Sequence, residues 1–435
     1  MSTLKLPATA SDVGAEDVHD VIAGRLVEAV FQPIVDLTTS EVVGYEALAR
    51  GPRGSTLESP LVLFGEAAAA GRTDELDWVC RAAACRAALG AGLPASMALF
   101  VNAEPRTIRT PCPDDLVAVI ARAERRLRIV TELTERAVAA DPPALLLAAQ
   151  EARAAGQLVA MDDVGVDPGS LALLPFVAPD VVKLDMSLVQ DGVTPVNVRV
   201  VTAVQAHAER TGARILAEGI ETAEHLALAR IYGATLGQGW FFGRPGPLPA
   251  RSAASGPRRS APLERARGVS WSGAADATPF EIVSQQRPVV RATKRQLLPM
   301  SRLLETQAES GPDLPVLLAC FQHARHFTPA TNVRYRRLAE TTRLLVVIGQ
   351  GLAAEPLPGV RGVSLEPADR LAPEWDVIVV GPHFAGALIA RELGGPTEND
   401  RDREFEVVVT HDRDLVLAAA RSLLSRVTPA LVLDA

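Results

Sequence analysis

Between Val21 and Leu248, short apolar runs alternate with longer stretches rich in Ala, Leu and Arg. The runs have the length of buried β-strands, and most intervening stretches, such as Asp141 to Ala155, have helical spacing. Eight such runs occur, at 31–35, 42–48, 98–102, 129–133, 158–163, 181–185, 213–218 and 236–242. This order predicts an α/β fold, a TIM-like (β/α)8 barrel. The main alternative is a doubly wound open sheet, which normally has a glycine-rich phosphate loop after its first strand; this sequence has none there.

The predicted barrel accounts for about half of a chain of 435 residues. We predict a polar N-terminal tail at 1–20, the barrel at 21–248, a flexible linker at 249–277 and a second, smaller α/β domain at 278–428. The linker is rich in Ser, Ala, Gly, Pro and Arg. In the second domain, helices are predicted at 281–286, 293–308 and 414–426, and strands at 316–321, 344–349, 360–365, 375–381, 386–393 and 405–412.

Net charge and hydropathy exclude two classes of protein. The formal charge is −8, whereas binding to a nucleic-acid polymer requires a basic face. The apolar runs are far shorter than the ~18 residues of a membrane span, and the N-terminus MSTLKLPATASD has no apolar signal core. The sequence therefore predicts a cytoplasmic protein without a membrane span.

Lysine is rare in this chain. It occurs at Lys5, Lys183 and Lys294, so 44 − 3 = 41 of the basic residues are arginine. Lys183 lies inside the apolar run VVKLD, where a surface cation has no place. We therefore expect Lys183 to have a chemical role.

Polar residues stand at the ends of the predicted barrel strands, where the active sites of such barrels lie. They are Glu46, Asn102, Glu132, Asp162, Asp163, Lys183, Glu218 and Gln238. Taken singly, each is compatible with an ordinary strand-end residue that satisfies loop backbone. Together, five carboxylates cannot share one site without a larger counter-charge than one lysine. The set predicts hard divalent cations, Mg²⁺ or Mn²⁺, and its lack of His argues against zinc. Paired ions of this kind suit in-line attack on a phosphodiester.

The segment YEALAR at 45–50 resembles the signature of EAL-domain phosphodiesterases, which cleave cyclic di-GMP to the linear dinucleotide. The resemblance covers about residues 24 to 248. Its further motifs are FQPIVDL (31–37), FVNAEP (100–105), TELTE (131–135), MDDVG (161–165), VKLD (182–185), AEGIET (217–222) and GQGWFFGRP (237–245). It implies a (β/α)8 barrel with one irregular strand, cyclic di-GMP hydrolysis with two Mg²⁺ or Mn²⁺ ions, and a homodimer formed through the barrel.

The resemblance also implies roles for individual residues. The metal ligands would be Glu46, Asn102, Glu132, Asp162, Asp163 and Glu218. Lys183 would hold the attacking water or a phosphate oxygen, and Glu218 or Asp162 would accept a proton. The substrate would contact Gln32, Arg50 and Gln238, and an Arg fork suits phosphate. Finally, Glu135, Glu221 and Asp185 would hold loops and ligands in place.

One loop departs from the family pattern. The family usually reads DDFGTGYSS, whereas this chain reads DDVGVDPGS at 162–170. In the family this loop couples substrate and metal binding to the dimer interface. Pro168 stiffens the backbone, and Asp167 is expected to add a charge beside the metals, either as an extra ligand or by repelling phosphates. Two outcomes follow: a phosphodiesterase with altered regulation, or a cyclic di-GMP receptor that hydrolyses slowly or not at all.

The C-terminal half resembles the DICT sensory domain in TPFEIV (278–283) and VVVTHDRDLVLAAARSLL (407–424). The resemblance implies a ligand or protein partner whose identity the sequence does not give. His323 and His326 form an HxxH pair, which we interpret as solvent-facing or capping rather than metal-binding. Gly394 and Gly395 are not followed by the rest of a GGDEF signature, so no cyclase activity is predicted.

Overall fold

The computed structural model describes residues 17–105, 107, 110–134, 141–249, 261–267, 277–309, 313–395 and 399–427. The strands of the first domain are β1 (Glu28–Asp36), β2 (Val42–Arg50), β3 (Ala98–Asn102), β4 (Arg128–Thr134), β5 (Leu158–Val164), β6 (Val181–Leu184), β7 (Arg214–Ala217) and β8 (Leu236–Gly237). Its helices are α1 (Val18–Ala23), α2 (Pro60–Ala69), α3 (Thr73–Gly90), α4 (Asp114–Arg126), α5 (Pro142–Ala154), α6 (Leu174–Val177), α7 (Met186–Gln190), α8 (Pro195–Thr211) and α9 (Ala223–Ile231).

The second domain continues the same numbering. Its helices are α10 (Pro279–Ser284), α11 (Lys294–Glu309), α12 (Pro329–Thr341) and α13 (Arg413–Leu424). Its strands are β9 (Val290–Thr293), β10 (Val316–His323), β11 (Leu344–Gln350), β12 (Arg361–Ser364), β13 (Glu374–Val380), β14 (Ala385–Glu392) and β15 (Glu404–Thr410).

The first eight strands close into a barrel in chain order, which confirms the predicted fold. Strand β1 is antiparallel to β2 and to β8, whereas the other neighbours are parallel. The carboxyl ends of β2 to β8 therefore meet at one rim. The eighth strand is shorter than the predicted run 236–242, because the chain turns after Gly237. A Cβ at Gly239 would lie 2.0 Å from the Ile220 carbonyl oxygen, so only glycine permits this close approach of two backbones.

The second domain is a seven-stranded mixed sheet in the order β12-β11-β10-β13-β14-β15-β9. Side chains alternate between its faces. Val316, Leu318 and Cys320 join a core with α10 and α13, whereas Leu317 and Ala319 join a second core with α11 and α12. Each face of the sheet is therefore covered by its own pair of helices.

The two domains share one apolar core. The cluster that contains α10 and α13 continues without a break into the barrel residues around α5, α6 and α8. At this junction the fully buried Arg421 donates from Nη2 to the Pro175 carbonyl, at 2.7 Å. Arg361 reaches Asp141 of the barrel at 3.2 Å. The second domain is thus packed against the barrel.

Part of the predicted linker is also packed, which corrects the expectation of a flexible segment for residues 261–267. Leu263 is 2% exposed and lies in the apolar cluster inside the barrel, with Phe100 and Leu216. The Arg128 guanidinium donates to the Leu263 carbonyl at 2.6 Å, and the Ala266 amide donates to Asp180 at 2.8 Å. The segment is therefore a structural part of the barrel.

The predicted tail needs a smaller correction. Asp17 caps α1, which begins at Val18, so residues 18–20 are helical, and residues 1–16 lie outside the described part. The other domain boundaries remain predictions. Among the described helices, none has both the length and the apolarity that crossing a bilayer demands.

Candidate metal and substrate site

The barrel brings the predicted polar residues together at the rim where the parallel strands end. Glu46 lies in β2, Asn102 ends β3, Glu132 lies in β4, and Asp162 and Asp163 lie in β5. Lys183 lies in β6, and Glu218 and Gln238 directly follow β7 and β8. The side chains of these strand ends converge because the strands run in parallel and are tilted around one axis.

Lys183 is the centre of this ring. Its side chain is fully buried, and its Nζ lies 2.7 Å from a Glu132 oxygen, 2.7 Å from an Asp162 oxygen and 2.8 Å from a Glu218 oxygen. A fourth carboxylate, Glu46, lies 3.7 Å away. The lysine that composition singled out is thus the shared counter-charge of four carboxylates.

The protonation of the ring reflects its burial and its excess of negative charge. Burial and the Glu46 charge raise the pKa of Glu132 well above its usual value. Burial raises the pKa of Glu218 to about 8, although Lys183 acts in the opposite direction. Burial alone would lower the pKa of Lys183, but the carboxylates, Asp162 first, raise it well above its usual value. The ring therefore retains protons unless further positive charge enters.

The donor set fits divalent metal. Two groups of carboxylate oxygens, each within 4.8 Å of one another, are Glu46–Glu132–Asp162 and Asp162–Asp163–Glu218. Asp162 belongs to both groups, as a bridging ligand of two ions would. Asp163 has a φ of 55°, a conformation that is costly for a side chain other than glycine and that recurs at functional sites. The Asn102 amide donates to Glu132 at 3.2 Å, so an amide stands beside the carboxylates.

The predicted substrate residues lie around the same ring. The Gln238 amide donates to Glu46 at 2.6 Å and to the Gln32 side chain at 3.2 Å, while Gln32 donates to the Gly243 carbonyl. Arg50 ends β2, and its guanidinium donates to the Ala49 carbonyl at 2.7 Å. Gln32 and Gln238 thus form one hydrogen-bonded chain that ends on a predicted metal ligand.

The residues predicted to support the site have different outcomes. Asp185 caps α7 by accepting from the Ser187 amide at 2.9 Å, and therefore orders the loop after the Lys183 strand. Glu221 is exposed, and its backbone amide donates to the His225 ring at 3.3 Å, so the role of its side chain stays a prediction. Glu135 lies outside the described residues.

A recess of about 250 Å³ beside Arg50 and Asn102 contains a residue that the sequence reasoning missed. Asp77 of α3 is buried there, accepts from the Glu104 amide at 3.4 Å, and has its pKa raised to about 7 by burial. It therefore contacts the loop that follows Asn102. The sequence could have indicated Asp77, because it is an acidic residue beside the apolar helix face formed by Leu76, Cys80 and Ala84.

The loop that departs from the family pattern faces the second domain. Asp167 belongs to neither carboxylate group; its carboxylate pairs with the Arg343 guanidinium at 2.7 Å. A Cβ at Gly169 would lie 3.1 Å from the Leu314 side chain and 3.2 Å from the Arg343 side chain, so the loop backbone packs closely against side chains of the second domain. We expected the Asp167 carboxylate to add its negative charge beside the metals. Instead, the carboxylate forms an ion pair with Arg343 of the second domain.

Comparisons with known proteins agree with the two-domain division. A family model described as "EAL domain" matches residues 15–245, and one described as "Sensory domain in DIguanylate Cyclases and Two-component system" (DICT) matches residues 280–393. An uncharacterized signaling protein of Caulobacter vibrioides is 30% identical over 265 residues, covering 58% of this chain and 32% of that protein. A Pseudomonas aeruginosa protein named cyclic di-GMP phosphodiesterase NbdA is 29% identical over 242 residues, covering 54% of this chain and 31% of that protein.

A solved manganese and cyclic di-GMP complex of Klebsiella pneumoniae BlrP1 is 29% identical and covers 51% of this chain and 57% of that chain, with a TM-score of 0.45. This chain spans about a third of the length of the two curated relatives.

Proposed function

Because the chain belongs to the EAL domain family and carries a DICT domain after its barrel, we propose that it hydrolyses cyclic di-GMP to the linear dinucleotide and that the second domain regulates this reaction. The observation that carries the proposal is the ring at the barrel rim, where four carboxylates surround the buried Lys183. The name of the NbdA relative, a cyclic di-GMP phosphodiesterase, supports the choice of substrate.

The ring would hold two Mg²⁺ or Mn²⁺ ions through Glu46, Asn102, Glu132, Asp162, Asp163 and Glu218. Bound ions of this kind neutralise the carboxylates and polarise a phosphodiester and a water for in-line attack. Lys183 would hold the attacking water or a phosphate oxygen once bound ions draw a carboxylate away from its ammonium, whose three donors now face Glu132, Asp162 and Glu218. Glu218 or Asp162 accepts the proton that the water loses.

Substrate binding is assigned to Gln32, Arg50 and Gln238. Arg50 supplies a planar fork that suits one phosphate oxygen pair. Gln238 donates to Glu46, which links substrate contacts to the carboxylate ring. The recess beside Arg50 gives room for a part of the substrate outside the ring. Asp185 orders the loop after Lys183. The roles of Glu221 and of Glu135, which lies outside the described residues, remain proposals.

The direct test is incubation of the purified chain with cyclic di-GMP and Mg²⁺ or Mn²⁺, with chromatography of the linear product. We expect the linear product to form. Glu46→Gln should abolish its formation, because the variant removes the charge of a proposed metal ligand that also lies beside Lys183. Glu224→Gln is the matched control, since Glu224 is exposed on α9. Equal turnover in the Glu46 variant and its control would refute the role of the ring.

The alternative function is a cyclic di-GMP receptor, and one observation favours it. Asp167 and Gly169 of the loop after the paired aspartates are held against Arg343 and Leu314 of the second domain. A loop that is held in this way rearranges less freely, so hydrolysis suffers more than binding. Tight binding of cyclic di-GMP in Mg²⁺ without linear product over hours would replace the enzyme with the receptor.

The same contact supports regulation by the second domain. Arg343→Ala should free the loop that contains Asp167 and raise kcat several-fold. The affinity for cyclic di-GMP, measured in Ca²⁺ so that binding is separated from turnover, should change little. Arg361→Ala is the control, because Arg361 also pairs with a barrel residue, Asp141, but not with this loop. If both variants alter kcat equally, domain docking in general is responsible and the loop contact is not the regulator.

The predicted homodimer and cytoplasmic location complete the proposal. Large apolar side chains are exposed in the loop at 164–170, at Val166, and in the segment that follows it in sequence, at Met186, Val193 and Val196. A second copy would cover such residues. Light scattering during gel filtration measures the mass directly, and a monomer at all concentrations would remove the dimer from the proposal.

A further inference from the structure

The second domain contains a cavity of about 270 Å³ on the face of the sheet turned away from the barrel. It lies between α11, α12 and the strand ends of β10, β13 and β15. It shares no residue with the carboxylate ring or with the recess beside Arg50. The cavity is therefore a separate site in the domain whose family description is sensory.

Part of the cavity lining is aromatic. Phe321, Trp375 and Phe405 line it, and each of these side chains is largely buried. The Trp375 and Phe405 rings meet edge to face at 5.6 Å. Aromatic walls of this kind bind planar apolar groups by stacking and by edge contacts.

The cavity lining is also positively charged. Five cations line the cavity, namely Lys294, Arg302, Arg334, Arg401 and Arg403, against the two carboxylates Glu305 and Asp400. The lining charge is thus 5 − 2 = +3. Lys294 pairs with Asp400 at 2.5 Å and Arg334 with Glu305 at 2.5 Å, and Arg403 pairs with Glu392, which does not line the cavity. Arg302 and Arg401, both exposed at the rim, have no ion pair with any residue that the structure describes.

The position of Arg403 is fixed by Glu392, which accepts from its Nε at 2.7 Å, and by a strained residue, Gln322. Gln322 is buried with a φ of 62°, where the pairing of β10 with β11 shifts its register. Its side-chain oxygen accepts from Arg403 Nη2 at 2.6 Å, and its amide donates to Glu392 at 2.9 Å and to the Pro373 carbonyl at 3.0 Å. Such strain is retained where a site requires a particular geometry. Here it holds a guanidinium at the cavity.

We propose that this cavity binds a small organic anion with a flat apolar body, of the class of aromatic carboxylates and aryl phosphates. The aromatic wall takes the body and the cationic side takes the charge. A volume of about 270 Å³ lies just below the usual range of small-molecule sites, roughly 300–1,000 Å³. It suits a single ring and is too small for a cyclic dinucleotide, so the ligand is neither the proposed substrate nor its product.

The test uses the full chain and the fluorescence of Trp375, with benzoate and phenyl phosphate as probes and neutral benzyl alcohol as the matched control. We expect saturable quenching by the two anions and little by the alcohol. Trp375→Phe should remove the quenching, and Trp240→Phe should retain it, because Trp240 lies in the barrel segment after β8. A thermal shift with the same probes reports binding in the Trp375 variant, where the fluorescence is lost.

The charge requirement has its own pair of variants. Arg302→Glu should weaken anion binding about tenfold, since it reverses one rim charge. Arg337→Glu is the control: this arginine is exposed on α12, pairs weakly with Glu309 at 3.6 Å and does not line the cavity. The proposal is overturned if neither anion saturates up to its solubility limit, if benzyl alcohol binds as well as benzoate, or if both variants weaken binding equally.

Discussion

At the scale of single residues, Lys183 determines how the ring is organised. A fully buried ammonium is stable only when anions surround it, and three carboxylate oxygens lie within 2.8 Å of its Nζ. A compact ammonium fits among three oxygens, whereas a guanidinium is planar and wider. The identity of the cation, and not only its charge, is therefore important here.

We expect Lys183→Arg to retain cyclic di-GMP binding and to lower kcat by about 100-fold, because the guanidinium displaces the carboxylates from their positions. Steady-state kinetics and equilibrium binding in Ca²⁺ measure the two effects separately. The circular dichroism spectrum and Tm of the variant show whether it is folded. A folded variant with normal turnover would mean that Lys183 is only structural.

The raised pKa of Glu218 leads to a prediction about pH. Its carboxyl titrates at about 8 in the folded chain against a usual 4.5, so the metal-free fold binds an extra proton between these values and loses stability as pH rises through them. A divalent ion must displace that proton. Mn²⁺ affinity should therefore increase as pH rises towards 8 and level off above it.

Titration calorimetry in two buffers with different protonation enthalpies measures this proton release. We expect proton release on Mn²⁺ binding to decrease as pH rises through 8, where Glu218 becomes ionised, and any release that remains above it comes from Glu132. An affinity that does not change over this range would mean that Glu218 is ionised before the metal binds.

The residues of the ring were predictable because strand ends in a parallel barrel converge, and because lysine is rare in this chain. The ion-pair partner of Asp167 was not predictable, since Arg343 is distant in sequence and belongs to another domain. Asp77 was missed because a single carboxylate on a helix has no partner in the sequence pattern. The order of apolar and polar residues along the sequence does not predict contacts between residues that are far apart in it.

At the scale of elements, the apolar runs predicted every barrel strand, and the errors have physical causes. Strand β9 was missed because it lies at the sheet edge with exposed side chains and no buried face. Helix α12 was missed because its sequence PATNVRYRRLAET is mostly polar, with few buried positions. Both elements depend on tertiary contacts more than on their own hydrophobic pattern.

The packed segment 261–267 gives a prediction at this scale. Leu263→Ala should lower the free energy of unfolding by about 2–3 kcal/mol, because it leaves a cavity among the buried residues inside the barrel. The neighbouring exposed Glu264→Ala is the control, with an expected change within about 0.5 kcal/mol. Denaturant unfolding measures both, and equal midpoints would show that the segment is not packed in solution.

At the scale of the whole molecule, the two domains are not independent units joined only by a linker, because one apolar core crosses the junction between them. The fully buried Arg421 donates across the same junction to Pro175. Separation of the domains would expose this core to water. The sequence predicted two domains correctly but contained no sign that they are packed together.

We therefore expect a single cooperative unfolding transition for the full chain in scanning calorimetry, with a calorimetric enthalpy close to the van't Hoff value. The variant Arg421→Ala should weaken the junction and separate the transition into two, since it leaves the Pro175 carbonyl without this donor. Arg426→Ala is the control, because Arg426 pairs within the second domain, with Asp369 at 3.5 Å. Two transitions in the unmodified chain would contradict a shared core.

The contact between Asp167 and Arg343 joins two parts of one polypeptide. Its occupancy is therefore independent of protein concentration, and the apolar core that crosses the junction keeps the two partners adjacent. A loop held by a separate protein would be released by dilution, so its state would depend on how many copies of that protein the cell makes. Here dilution does not separate the two partners, so a ligand or a second copy of the chain can release the loop only by shifting the equilibrium of this contact within each molecule.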